Sequence, residues 1–369
     1  MTDFLAEVTA LARDLVAIDS RSFVSNIAVA ERVEAALDGF EIERLDYVDP
    51  AGVAKRCLVA HRGGAGGLAF SGHLDTVPDT GWKADPWSAR IDGDILHGLG
   101  STDMKGPVAA IIAAARALPA WMPVTLLITT DEETTKQGAH WIAAHSTLVR
   151  RVQPRAIVVA EPTSMIPVRG HRSHIAFTAV ATGIQAHCST CKGHNANWDL
   201  IPFLVEMKTI FGRLRTDASL QDADYDPPFS DFNLILDNHG AAMNVTVPKA
   251  TAQIKFRYSA KVDPTPVVDA VRDAAEHHGI ALSEAREGLP PELPADHPLI
   301  ALTEQISGAA PRTAPYGTDA SELQAIAPCV VFGPGSIEVA HKPNESVSLR
   351  ELADSVPLFI RLAERLAGN

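Results

Sequence analysis

Apolar residues recur at helical spacing over residues 4–18 and again over 27–37, which predicts two opening amphipathic helices leading into a strand over 40–48. Two short apolar runs then flank the glycines of RCLVAHRGGAGGLAFSGHLD. A glycine cluster between strands reads as a hairpin loop, whereas a phosphate-cradling loop would stand between a strand and a helix. Further on, GPVAAIIAAARAL predicts an alanine-rich buried helix, PVTLLITTDEE a continuous apolar strand running into acids, and RAIVVAEPT another strand ending in an acid. Strand, helix and strand with polar residues just past each strand's carboxyl end form the α/β arrangement that places ligands at that edge.

From Val168 the texture changes to an alternating strand HIAFTAVAT, a helix through WDLIPFLVEMKTIFGRL, strands DFNLILD and ATAQIKFRY, a helix PTPVVDAVRDAAEHHG and a strand IALSEA. This β-α-β-β-α-β order matches a ferredoxin-like sandwich. An inserted domain over 168–288 is therefore expected. The proline-rich GLPPELPADHP is the return linker, and PCVVFGPG with the helix LRELADSVPLFIRLAERLAG rejoins a first domain made of 1–167 plus 289–369. A chain of 369 residues also exceeds what one hydrophobic core usually serves, so two domains fit its length.

A formal charge of −13 argues against nucleic acid and anionic membranes as partners, because both demand a basic footprint. No run is long and uncharged enough to span a membrane. Asp3, Glu7, Arg13 and Asp14 break up the amino-terminal segment, which lacks a basic leader and does not read as a signal peptide. Four cysteines are too few for a secreted disulfide scaffold, so reduced thiols and a cytoplasmic location are expected.

The chemistry gathers at the strand ends: His73 and Asp75 in SGHLDTVP, Asp103 in GSTDMKG, Glu132 and Glu133 in TTDEETT, Glu161 in VAEPT, and His341 in EVAHKPNE. Taken singly, such an acid is most often a helix cap or a solvated turn, and such a histidine a packed side chain. Their ordered recurrence after apolar strands carries the functional reading. Imidazole with surplus carboxylate suits two adjacent divalent ions bridged by one carboxylate. One ion would take His73, Asp103 and Glu161, the other Asp103, Glu133 and His341. Glu132, adjacent to a ligand but unassigned, would receive the proton of the attacking water, and Asp75 would accept the ring N–H of His73 that faces away from the metal.

SGHLDTVP, HGLGSTDMKG, TTDEETTKQGA, AEPT and GPGSIEVAHKPNE resemble the sequential motifs of the M20 family of metal-dependent amidohydrolases and peptidases, and the last two are most similar to the acetylornithine deacetylase and succinyl-diaminopimelate desuccinylase branch. The resemblance spans essentially the whole chain. It implies a three-layer α/β/α zinc-hydrolase catalytic domain, two Zn2+ per subunit with Co2+ or Mn2+ as substitutes, Glu132 as general acid and base, and an inserted domain that dimerises the protein and acts as its lid. It also carries His187, in GIQAHCST, over to the histidine that reaches the partner subunit's site and steadies the oxyanion. Asn244 and Arg257, in AAMNVTVPKATAQIKFRY, carry over to the pair that holds the substrate carboxylate, and Gly317 and Thr318 of YGTDASEL to a loop beside the substrate. Leu99 and Thr135 depart from the family pattern, where arginine and glycine are common, and leave substrate preference open.

In QAHCSTCKGHNAN, the spacing of His187, Cys188, Cys191 and His194 also suits a zinc knuckle, and C-x-x-C a redox pair. By the resemblance, Cys188 merely occupies a small-residue slot. Cys57 and Cys329 sit in apolar runs and read as core residues. The expected function is hydrolysis of the amide bond of a small-molecule N-acyl amino acid by a cytoplasmic homodimer, with an M20 dipeptidase or carboxypeptidase as the alternative. A metal-storing or ligand-binding module without catalysis would have lost Glu132 or a ligand, and this chain keeps them all.

Overall fold

The computed structural model describes residues 4–367; Asp3 and Gly368, at the margins of the first and last predicted helices, lie outside the described residues. Two compact units form: the chain up to Gly170 with Pro291–Thr313 and the segment from Thr318 on, and His171–Pro290 with Ala314–Gly317.

The first unit is built on an eight-stranded mixed sheet in the order Glu41–Val48, Ala54–Arg62, Val124–Thr129, Leu68–His73, Ala156–Val159, Cys329–Val331, Val168–His171, Arg312–Ala314. The four central strands, from Val124–Thr129 to Cys329–Val331, are mutually parallel, with His73 opposite Thr129, Ser71 opposite Val159, and Val159 opposite Val331. Their carboxyl ends therefore finish level with one another. Val168, expected to open the insert, instead pairs with Val331 in this sheet.

The strands on either side of GGAGG do not form the expected hairpin. Val124–Thr129 lies between them, antiparallel to Ala54–Arg62 and parallel to Leu68–His73. The glycines serve this crossing. A Cβ at Gly63 would stand 2.5 Å from the Met122 carbonyl oxygen and one at Gly67 2.1 Å from that of Pro123, so only glycine lets the loop pass under the chain entering the inserted strand. Both glycines also have positive φ. Local turn chemistry announces a reversal, but pairing goes to whichever strand buries the apolar face best.

Leu68, Phe70, Leu126 and Ile128 share one buried cluster with Val108 and Ile112 of helix Lys105–Ala117 and with Val356 and Phe359 of helix Leu349–Ala367. The buried stripe Leu352, Val356, Phe359, Leu362 and Ala363 follows helical spacing. The Phe359 ring meets Phe70 edge-on at 5.4 Å between centroids, and burying such a ring contributes about 1.5–3 kcal/mol. Helix Gln137–His145 packs on strands Ala54–Arg62 and Val124–Thr129 and completes the third layer.

The second unit has four antiparallel strands in the order Asp231–Asp237, Lys249–Tyr258, Ser173–Thr182, Ala281–Arg286, with helices Asn197–Thr216 and Thr265–His277. Numbered along the chain this is 2-3-1-4, the ferredoxin-like order. Burial alternates strictly along Ser173–Thr182, and Ile175, Phe177, Ala179 and Ala181 pack with Phe203 and Val271 of the two helices. Among the described residues no helix is long and apolar enough to cross a membrane.

Candidate metal centre

Level strand ends at the middle of the sheet converge polar side chains because each strand is buried to its last residue and then gives way to a turn. His73 closes Leu68–His73, Glu161 follows Ala156–Val159, Glu132 and Glu133 sit in the turn after Val124–Thr129, Asp103 precedes helix Lys105–Ala117, and His341 lies in the loop between Cys329–Val331 and Ser346–Ser348. Asp103 stands in the middle. Its Oδ1 is 3.1 Å from His73 Nε2, and its Oδ2 is 3.2 Å from His341 Nε2. Glu133 Oε1 lies 2.9 Å from His341 Nε2, and Glu161 Oε1 lies 3.9 Å from His73 Nε2.

These separations fit metal coordination. Tetrahedral ligands roughly 2.1 Å from one ion lie about 3.4 Å from each other, and the four distances straddle that value. Ligand atoms of His73, Asp103 and Glu133 fall within 4.8 Å of one another, as do those of His73, Glu132 and Glu161. The two triads share His73, bring in Glu132 and divide the acids differently from the expected sets; His341 is in neither triad and meets Asp103 and Glu133 through the contacts above.

Electrostatics point the same way. Burial, then the charge of Asp103, pushes the Glu133 carboxyl up to about 8. The same two causes carry Glu161 well above its ordinary range, and burial raises Glu132. Asp103 ionises readily despite burial, because His341 and His73 both donate to it. In return, Asp103 and Glu133 push the His341 imidazole up to about 11. His73 is raised well above the usual histidine value by Asp103 and Asp75, against the opposing effect of burial. So many buried carboxylates facing only two imidazoles repel one another, and divalent cations are the partners such a donor set accommodates.

The expected partner of His73 is refined by the structure. Its Nδ1 lies 3.0 Å from the carbonyl oxygen of Asp75 and 3.5 Å from that residue's carboxylate. The carboxylate instead accepts the backbone N–H groups of Glu132 at 3.1 Å and Glu133 at 3.2 Å, and the Ser22 hydroxyl at 2.8 Å. Asp75 thus fixes the turn that carries both glutamates.

Two further buried acids had no role in the sequence reading. Glu345 accepts the backbone N–H groups of Gly100, Thr102 and Asp103 at 3.1, 2.9 and 3.0 Å, tying the His341 loop to the Asp103 turn. Asp319 accepts a 2.5 Å hydrogen bond from Thr129, keeps Oδ1 without a hydrogen-bond partner, and is raised to about 8 by burial and by Glu132. Both stand inside quoted motifs, HKPNE and YGTDASEL, but nothing in the sequence reveals which backbone groups a carboxylate will meet.

The remaining candidate residues divide between the units. His187, Asn244, Arg257 and Gly317 belong to the second unit and Thr318 to the first. His187 is exposed, its Nδ1 accepting from the Ser189 hydroxyl at 2.8 Å, and it bridges to Val245 beside the exposed Asn244. Arg257 lies opposite His174 on the neighbouring strand and keeps a buried Nη1 without a hydrogen-bond partner. Thr318 Oγ1 accepts the N–H of Ala320 at 3.1 Å, at the start of the short helix Ala320–Leu323. Cys188 and Cys191 are exposed free thiols, and His194 is held by Asp199 at 2.6 Å. None of these three belongs to a ligand group among the described residues.

The sequence profile of the peptidase family M20/M25/M40 matches residues 69–365. The chain belongs to that family. This M20 hydrolase is 32% identical over 369 aligned residues to the acetylornithine deacetylase of Proteus mirabilis, covering 94% of this chain and 92% of that protein. Its fold is similar to that of an M20 family metallo-carboxypeptidase from Sulfolobus solfataricus, at a TM-score of 0.76, 14% identity, and 98% and 100% of the two chains. A dinuclear metal binding peptidase of the M20 family from Bacillus subtilis aligns at a TM-score of 0.64 and 16% identity over 98% of each chain.

Proposed function

We propose that this M20 hydrolase cleaves the amide bond of an N-acyl amino acid to release a carboxylic acid and the free amine, in the manner the acetylornithine deacetylase relative is named for. The observation that carries the reading is Asp103, whose two oxygens each face a different imidazole, the disposition of a carboxylate that bridges two ions. His73, Asp103 and Glu161 would hold one ion and Asp103, Glu133 and His341 the other, with Zn2+ the ion of choice and Co2+ or Mn2+ as substitutes. When bound, the dications polarise the acyl carbonyl and acidify the attacking water.

Glu132 takes the proton of that water and passes it to the leaving nitrogen. Burial raises its carboxyl above the ordinary range, the direction a proton shuttle needs, and Lys136 Nζ stands 3.6 Å from its Oε1. Asp75 keeps the turn in place through the two N–H groups it accepts. As the family resemblance implies, Asn244 and Arg257 would take the substrate carboxylate, with Gly317 and Thr318 contributing from their loop. Zn-loaded enzyme is expected to hydrolyse N-acetylornithine or another N-acyl amino acid at least about tenfold more efficiently than dipeptides. Preference for dipeptides would transfer the same centre to the dipeptidase or carboxypeptidase reading.

A homodimer is part of the proposal. The edge strand Asp231–Asp237 shows Ile235 and Leu236, each 56% exposed, and helix Asn197–Thr216 shows Trp198, Ile201 and Val205 to solvent at helical spacing. Pairing of two copies through these apolar groups would let His187 serve the partner's site. Sedimentation is expected to give about twice the 39.3 kDa chain mass, and Ile201→Asp with Val205→Asp a monomer with little activity. A fully active monomer refutes both the dimer and the role of His187. A cytoplasmic setting, which cell fractionation checks, completes the proposal.

A further inference from the structure

In the first unit, a cavity of about 730 Å3 opens directly beside Glu133, between residues 22 and 23, the tip joining strands Glu41–Val48 and Ala54–Arg62, and the segment from Asp131 through Trp141. That volume lies within the usual range of small-molecule sites. Its walls are mostly apolar, built from Phe23, Tyr47, Val48, Val77, Pro78 and Trp141. Tyr47 and Trp141 form an aromatic wall with ring centroids 5.5 Å apart. Phe23 and Val48 stay 54% and 66% exposed, large apolar groups left facing water at the rim of a charged centre.

Several polar groups of the lining are already engaged. Asp131 is paired with the buried Lys55 at 2.8 Å and accepts from the Tyr47 hydroxyl at 2.7 Å. Asp49 accepts the N–H groups of Ala51 and Val53 within its own turn, at 2.9 and 2.8 Å. Glu133 is taken up by His341 and by the proposed centre. Among the described residues, no lysine, arginine or histidine lines the cavity, so an anionic group would find no counter-charge there. Most of what remains for binding is apolar and aromatic surface, beside the Thr135 and Gln137 side chains.

We propose that this cavity is a subsite for a bulky apolar group, above all an aromatic ring, carried by the substrate next to the scissile amide. The inference rests on the N-acyl amino acid reading: Glu133 lines both the proposed centre and the cavity, so a group bonded to an amide held at the centre would stand beside the cavity. Thr135, where the family pattern commonly has glycine, also lines it, so this chain departs from that pattern at the wall of the subsite.

The test compares kcat/KM of Zn-loaded enzyme on N-acetylglycine, N-acetyl-L-ornithine, N-acetyl-L-phenylalanine and N-phenylacetylglycine. The last two place the same ring on the amine side and on the acyl side. One of them is expected to exceed N-acetylglycine and N-acetylornithine by at least about tenfold, the scale of discrimination an apolar pocket supplies. Phe23→Ala, which removes a wall, and Ala51→Trp, which fills the space from an exposed turn, are expected to erase that advantage while leaving N-acetylglycine within about twofold of the parent. Ring substrates no better than N-acetylglycine, or variants that slow every substrate alike, overturn the proposal. Should no N-acyl amino acid be hydrolysed, the catalytic reading has failed by itself, and calorimetric binding of the two ring compounds decides the cavity. Binding weakened about tenfold by Phe23→Ala sustains the cavity, and absent or unchanged binding overturns it.

Discussion

Glu132→Gln is expected to lower kcat by about 10²–10⁴-fold while bound metal stays near two ions per subunit. The amide is isosteric with the carboxylate, so the buried turn that Asp75 clamps keeps its shape, and only the capacity to accept and return a proton is lost. The metal count matters as much as the rate. Glu132 stands within ligand reach of His73 and Glu161, so a ligand role is the real competitor to a proton-shuttling one. Steady-state kinetics with elemental analysis separate the two: an inactive enzyme that has also lost an ion makes Glu132 a ligand, and an active enzyme removes it from the chemistry.

Asp103→Ala is expected to have the larger effect on metal content. Its two oxygens each face a different imidazole, so on the proposed assignment its loss would strip a ligand from both ions at once, whereas Glu161→Ala or His341→Ala would remove one from a single ion. Bound zinc is expected to fall from about two per subunit to well under one, with activity at background, while the single-ion variants keep about one. Elemental analysis after gel filtration reads this directly, with circular dichroism confirming that the sheet is intact. Zinc retained at parental level in Asp103→Ala would show that the carboxylate bridges nothing.

The Glu345 carboxylate extends the same logic outward. By accepting three N–H groups of the turn that carries Asp103, it holds the Asp103 side chain where both imidazoles meet it. Buried groups that orient a ligand commonly change metal affinity by about 10–100-fold when removed. Position in the sequence does not reveal such a role; the turn must first fold back over the acid.

The sequence by itself determined the parts of this protein that depend on local pattern. Short apolar runs leading to His73, Glu132 and Glu161 specify buried strands with chemistry at their ends, and strict alternation over Ser173–Thr182 specifies a strand with one covered face. Both patterns are periodicities of a few residues, so short-range geometry suffices to read them. Only the tertiary structure decided what depends on meetings between distant segments. Strand Val124–Thr129 slid between the two runs flanking GGAGG because the sheet interior rewards its apolar side chains on both faces, a competition no local glycine signal can register. Likewise the Asp75 carboxylate serves the Glu132–Glu133 turn as well as His73, and Tyr47 and Trp141, far apart in the chain, came together as one aromatic wall. Hydrogen bonds and packing act over a few ångströms of space whatever their separation along the chain, so their partners exist only once the fold has brought them into reach.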